Sequence, residues 1–400
     1  LAGSLNLEMA QVLGLSFWMY LLFGLSALPW GLAGDRWGGK TLMLIMFLGA
    51  GVSGLFSAYS LHSPVGLSVA LAGLGLFSGI YHPIGLGLIS KGVRRLSVAM
   101  GYNAVFGGLG LVLAPLITGI LNWLSGPQAA FLFVGAVNLG GLAIMALLPL
   151  GDSAPSEAES SGGGNGMLGA FLILLVIMTV GGLAYRGSTL ILPAYLELKS
   201  GGIFEALSGF QGMHLSNNLL ATTITALIYV AGMVGQYIGG HVGERFEPRY
   251  SYLFFHAVCI PAVLLMTFAT NLQLIGLATV YFFFLLGMQP IENTLVARFS
   301  PRRLHHSAYG LKFILTFGIG ALAVKMVQWI DSAWGVEAIF PALAIMSVVI
   351  VATIMLLIRQ TNPRPAKVDQ PVAVVSAPGE DQVSCLYCSS EVRSLPPCGC

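Results

Sequence analysis

The sequence predicts an all-helical membrane protein built as two similar halves. Three observations predict it. The chain is 56% hydrophobic and only 8% charged, whereas a soluble domain carries roughly 25% charged residues. Its apolar residues fall in long runs, and mean hydropathy is +0.84. A short charged, glycine-rich pattern occurs twice, about 209 positions apart, as Gly31-Leu32-Ala33-Gly34-Asp35-Arg36-Trp37-Gly38-Gly39-Lys40 and Gly240-His241-Val242-Gly243-Glu244-Arg245-Phe246-Glu247-Pro248-Arg249. Each copy closes one apolar run and precedes the next.

A helix needs about 20 apolar residues to cross the hydrocarbon core. Eleven runs meet that length, at about 9–31, 41–60, 65–90, 97–121, 128–150, 167–195, 219–242, 250–270, 273–297, 306–330 and 336–358. Runs this long exclude barrel strands. The glycines and prolines inside them are tolerated in membrane helices. The run at 167–195 precedes the second copy of the pattern by two spans, so its partner in the first half would lie upstream of Leu1. The expectation is therefore two six-helix halves with the first helix missing, and 9–31 counts as span 2. The alternative is an eleven-span protein.

Basic residues set the topology. Arg36 and Lys40 follow span 2; Lys91, Arg94 and Arg95 follow span 4; Arg245 and Arg249 follow span 8. Arg298, Arg302 and Arg303 follow span 10, and Arg359, Arg364, Lys367 and Arg393 follow span 12. These are 14 of the 18 Lys and Arg, all on one side, which is predicted to be cytoplasmic together with the C-terminus. The expected location is the inner (plasma) membrane. Residues 151–166 have the Gly/Ser composition of a flexible linker and divide an N-terminal half (1–150) from a C-terminal half (167–358). A disordered tail is expected over 359–400.

The first pattern resembles motif A of the major facilitator superfamily, with Gly31, Asp35, Arg36, Gly38 and Lys40 matching and Gly39 in place of an Arg. The second is a degraded copy that keeps Glu244 and Arg245. The resemblance covers residues 1–358 and implies a transporter whose hairpin locks the cytoplasmic side. Independently of the family, a carboxylate is stabilised at a helix N-terminus. Asp35 can therefore latch to a neighbouring helix end in one state and release it in another. The alternative is a solvated charge cluster that only sets topology.

In span 5, Gly101, Gly110, Ala114, Pro115 and Gly119 keep the spacing of the superfamily's motif C, with Ala114 and Thr118 replacing glycines. The resemblance implies proton-coupled export. Physically, small residues and a proline predict a kinked, closely packed helix; ordinary bundle packing would look the same. Tyr81-His82-Pro83 and Gly92-Val93-Arg94-Arg95 look like the fosmidomycin-resistance type of efflux protein. Gln289-Pro290 in span 10 is the approximate repeat mate of His82-Pro83, which predicts matching breaks in both helices near a central cavity.

Ionisable residues inside a bilayer are costly and usually face a cavity or a partner. Unless shifted, His82 titrates near neutral pH and is a candidate proton carrier; the alternative is a helix-capping or packing histidine. Arg186 is a candidate for an anionic group, or an interfacial snorkeller. Glu292, a substrate or proton candidate, and Lys312 are expected to pair. Lys325 and His256 are expected to snorkel or pack. Asn103 and Tyr81 complete the candidate set. In the tail, Cys385, Cys388, Cys398 and Cys400 have a spacing that allows a tetrahedral zinc site, against free thiols on a disordered segment.

A net charge of +2 is too sparse to make a nucleic-acid face. There is no Walker motif, no nucleotide fingerprint and no hydrolase arrangement, so no enzyme activity and no cofactor is expected. The function expected is a proton-coupled secondary transporter exporting a small organic molecule or drug. Its partners are that substrate, protons and the lipid bilayer, and the chain is expected to be a monomer. The alternatives are a metal-ion transporter with a thiol-rich sensing tail and a non-transporting receptor or scaffold on the same fold.

Overall fold

The computed structural model describes residues 14–149, 165–211 and 217–362, and among them every regular element is a helix. The tail thiols lie outside the described residues, as does nearly all of the expected linker, because helix already begins at Asn165. Among the described residues, ten spans are long and apolar enough to cross a membrane. A helix pair bent by 45° at Ser26 makes eleven.

The first half runs α1 (Phe17–Leu25), α2 (Ala27–Trp37), α3 (Gly39–Tyr59), α4 (Pro64–Ser78), α5 (Tyr81–Gly92), α6 (Leu96–Ser125) and α7 (Pro127–Leu147). The second runs α8 (Asn165–Lys199), α9 (Gly201–Gln211), α10 (Asn217–Arg245), α11 (Pro248–Met266), α12 (Asn271–Gly287), α13 (Gln289–Phe299), α14 (His305–Phe313), α15 (Ala323–Trp334) and α16 (Ile339–Thr361). The short α9 was not expected. Between α14 and α15 the chain forms a π-turn segment, Ile314–Gly318, and a 3-10 turn, Ile319–Leu322.

The expected breaks are present and in register. α4 gives way to α5 at Gly79-Ile80, and α12 to α13 at Met288. The charged pattern differs from the expected hairpin. Gly31 to Trp37 are the last two turns of α2, and the chain reverses only at Gly38, whose φ of 87° favours glycine.

In lipid the hydrophobic effect does not drive helices together, so close packing of small residues must. Gly54 and Gly135 bring α3 and α7 so near that a Cβ at Gly54 would stand 2.8 Å from the Gly135 nitrogen. The second half does the same where Gly239 of α10 meets the Gly287 carbonyl of α12, and it also buries large rings, with Tyr195, Tyr252, Tyr281, Phe282 and Phe340 fully enclosed.

One end of the bundle collects the basic connections. Lys91 bonds Asp35 at 3.4 Å, and Arg302 donates to the Lys91 carbonyl at 2.9 Å. Arg298 meets Glu247 at 2.6 Å, and Arg249 donates to Thr361 Oγ1 at 2.5 Å. Both copies of the charged pattern therefore lie at the same end, as the repeat requires. At the opposite end Lys199 pairs with Glu337, and the Tyr195 hydroxyl donates to the Thr267 carbonyl at 3.2 Å.

Candidate functional site

Two seams join the halves at the basic end, and each is built around a helix that lacks its own cap. α14 begins after Leu304, and no side chain of its own segment caps it. Asp35 supplies the cap from α2. Its Oδ1 accepts the His306 amide at 3.2 Å, and its Oδ2 accepts the Ser307 amide at 2.9 Å and the Ser307 hydroxyl at 2.5 Å. These are the N2 and N3 amides that a capping oxygen normally serves. Only 8% of the Asp35 side chain is exposed, and Lys91 shields it further.

The second seam repeats the device with the halves exchanged. α6 begins after Arg95, again without a local side-chain cap. Glu244, at the end of α10, accepts the Ser97 amide at 3.1 Å. Glu244 lies 209 residues after Asp35, and His306 lies 209 after Ser97. The acid and the helix end it holds thus both obey the repeat.

Glycines bring the backbones close enough for these bonds. A Cβ at Gly31 would sit 2.5 Å from the His306 carbonyl oxygen, and one at Gly310 would sit 2.7 Å from that of Ala27. In the other seam a Cβ at Gly240 would sit 2.9 Å from the Ser97 carbonyl oxygen, and one at Gly101 would sit 3.1 Å from that of Gln236. Gly101 and Gly310 are again 209 apart. The sequence reading picked out Gly101 but missed Gly310; the repeat offset alone would have found it. It also missed Lys91 as the partner of Asp35.

Several pattern residues lie outside the seams. Arg36 and Arg245 are exposed, with Arg245 over the Phe246 ring. Lys40 donates to the Leu148 carbonyl at 2.7 Å and ties the start of α3 to the end of α7. The tight packing expected along the whole Gly101–Gly119 pattern is not found. α6 is one unbroken helix, Gly110 has open space around it, and Ala114 is exposed. α6 and α10 cross at Gly101 and Gly240 and touch again at Gly108 and Met233. Gly110 lies past those contacts, so among the described residues of the pattern Gly101 packs closely and Gly110 and Ala114 do not. Side chains of Pro115 and Gly119 fall outside the described set.

The residues flanking the two helix breaks are paired within their own halves. The Tyr81 hydroxyl donates to Asn103 Oδ1 at 2.5 Å, and Gln236 donates to Gln289 at 3.0 Å. His82 is partly buried among rings from both halves. It stacks on Phe313 at 4.4 Å and meets Phe23 and Phe317 edge-on or tilted. Arg186 is exposed midway along α8. Glu292 and Lys312 pair as expected, at 2.7 Å, each only 6% exposed. Lys325 reaches Gln328, and His256 is buried. Among the described residues no group of three or more His, Cys, Asp or Glu gathers as a metal site.

The Major Facilitator Superfamily sequence profile matches residues 1–324. The chain belongs to the major facilitator superfamily. It is thus a multi-pass protein of a family of membrane transporters that bind small molecules. No curated protein matches it. Solved structures share its fold at low identity. A variant of the Escherichia coli fucose:proton symporter FucP superposes with a TM-score of 0.66 at 12% identity, over 89% of this chain and 95% of that one. The human organic anion transporter MFSD10 gives 0.69 at 18%, over 88% and 87%. The proton:xylose symporter XylE gives 0.66 at 12%, over 88% of each.

Proposed function

We propose that this chain is a proton-driven exporter of a small organic molecule, working by alternating access. One observation carries the reading: each half caps a helix of the other, at the same end of the bundle and by the same repeat offset. Such caps hold the halves together where they meet and break when the halves rock apart. In this reading Asp35 and Glu244 are the gate, and the basic end is cytoplasmic and closed, with the C-terminus on that side.

Proton coupling has precedent in the fucose and xylose symporters of the same fold, and a small organic cargo in the organic anion transporter. Export is supported by the Gly101–Gly119 pattern and by the efflux-like residues around His82. His82 is the proposed proton carrier of the first half, placed where rings from α1, α5 and the π-turn segment meet. The expected form is a monomer in the plasma membrane.

The test uses everted vesicles in which a proton gradient is reported by a fluorescent dye. A panel of small organic anions, cations and neutral compounds is added to vesicles with and without the protein. Collapse of the gradient by at least one compound, only where the protein is present, supports proton-coupled export. In right-side-out vesicles, protein-dependent entry of solute together with protons would instead make the chain an importer.

A further inference from the structure

The most heavily enclosed ion pair among the described residues lies one turn past the break at Met288. Glu292 on α13 and Lys312 on α14 form an ion pair at 2.7 Å. The Tyr252 hydroxyl on α11 donates to the other oxygen of Glu292 at 2.5 Å. Lys312 also donates to Asn293 Oδ1, and Tyr309 donates to the Asn293 carbonyl at 2.7 Å. Beyond Tyr252 lies His256, 1% exposed, its ring edge-on at 4.7 Å and its Nε2 without a hydrogen-bond partner.

Burying two charges costs more than such a pair usually returns in stability, so its presence inside a membrane span asks for a use. The arrangement is built to survive loss of one charge. If Glu292 takes a proton, Lys312 keeps Asn293 as a ligand and is not left bare. Tyr252 is bonded to the carboxylate and His256, with its Nε2 unpartnered, lies behind Tyr252, so the two can pass that proton on. Its consequence reaches the gate, because Lys312 lies on the nine-residue helix α14. Asp35 holds the N-terminal end of that helix at His306 and Ser307, while Glu292 holds its C-terminal end at Lys312. The next five residues are the π-turn segment Ile314–Gly318, a form frequent at functional sites and hinges.

We propose that Glu292 is a proton-binding site whose ion pair with Lys312 clamps α14 in the latched position, so that protonation of Glu292 frees the helix from its far end. The inference rests on the gate reading given above. The groups facing the pair are Tyr252 and His256 from α11, Asn293 from α13, and His82 from α5, whose ring stacks on Phe313 beside Lys312. α10 adds uncharged Gln236 through Gln289.

The experiment needs no substrate, only protons. The full chain in lipid nanodiscs is titrated with acid and followed by infrared difference spectroscopy. Spin labels at Arg36 and Arg303 report the width of the first seam. In the wild type, a protonated-carboxyl band is expected to rise together with a lengthening of that distance. In Glu292→Gln the band is absent and the long distance is present at every pH. Lys312→Gln breaks the same pair, so the long distance is expected at every pH, while the midpoint of the remaining carboxyl band moves to higher pH, by about tenfold or more in proton concentration. Glu292→Asp keeps a carboxyl and serves if the Gln variant fails to insert; it retains the band with a shifted midpoint. The same band in Glu292→Gln, or a wild-type distance that ignores the band, overturns the proposal. A chain that titrates and unlatches but moves no solute would sink the transport reading and leave this one standing.

Discussion

The His306 amide donates to the Asp35 carboxylate at 3.2 Å across a separation of 271 residues. Its mate, Ser97 to Glu244, spans 147 residues at 3.1 Å. Each bond joins an acid of one half to a helix start of the other. The predictions below follow from that exchange.

Asp35→Asn keeps the size of the side chain and removes the charge that three donors and Lys91 share. Hydrogen bonds to charged groups contribute about 1.5–3 kcal/mol each, so losing the charge should cut the latched population roughly ten- to a hundredfold. The variant is expected to insert normally and transport slowly, as measured by vesicle flux at matched protein levels. Wild-type flux would reduce the pattern to a topology signal.

Glu244→Gln should be milder. Glu244 accepts one backbone amide, and among the described residues no lysine bonds it as Lys91 bonds Asp35. The expected order of residual flux is wild type, then Glu244→Gln, then Asp35→Asn. The reverse order would mean that the two seams do not bear load in proportion to their bonds.

Gly310→Val places a side chain against the Ala27 backbone, where a Cβ alone would stand 2.7 Å from the carbonyl oxygen. Overpacking of this kind costs about 1–3 kcal/mol. The first seam should be held apart with the protein still in the membrane, giving a longer Arg36–Arg303 label distance at neutral pH.

His82→Gln should flatten the pH dependence of transport if His82 carries the coupled proton. Flux at a series of pH values in liposomes reads this. Parallel profiles of different height would make His82 a packing residue against Phe313.

Glu247 lies in the connection between α10 and α11. Burial would raise its carboxyl, but the hydrogen bond from Arg249 and the charge of Arg298 outweigh it and hold the group below the usual carboxylate range. A lowered folded value stabilises above the ordinary range and is lost as pH falls through that range. The effect is small because a third of the side chain is exposed, on the scale of about 0–1 kcal/mol. Glu247→Gln should therefore lower the unfolding temperature slightly at pH 7, with the difference fading in acid.

Much of this was legible in the sequence because membrane spans are long and the repeat is sharp. The spans, the paired breaks near Pro83 and Pro290, the shared end of the two charged patterns and the Glu292–Lys312 pair were all readable. What the acids hold was not. His306, Ser307 and Ser97 are bonded through backbone amides, which leave no mark on residue type. Tyr252 reaches Glu292 from another helix at no fixed spacing. The end of α2 was misplaced because Asp35 and Arg36 look like loop residues, whereas Gly38 alone makes the turn. The tail also begins later than composition implied. Thr361 and Asn362 bind Arg249, so a truncation meant to spare the bundle belongs after Asn362.

The central claim is that the two seams form one gate. The most direct test is a pair of distances measured by double electron–electron resonance in lipid, between labels at Arg36 and Arg303 and between labels at Arg95 and Arg245. All four side chains are exposed at the basic end. In Asp35→Asn, whose substitution touches only the first seam, both distances are expected to lengthen together. Lengthening of the first with the second unchanged would contradict the account, because the halves would then not be moving as two bodies about paired caps.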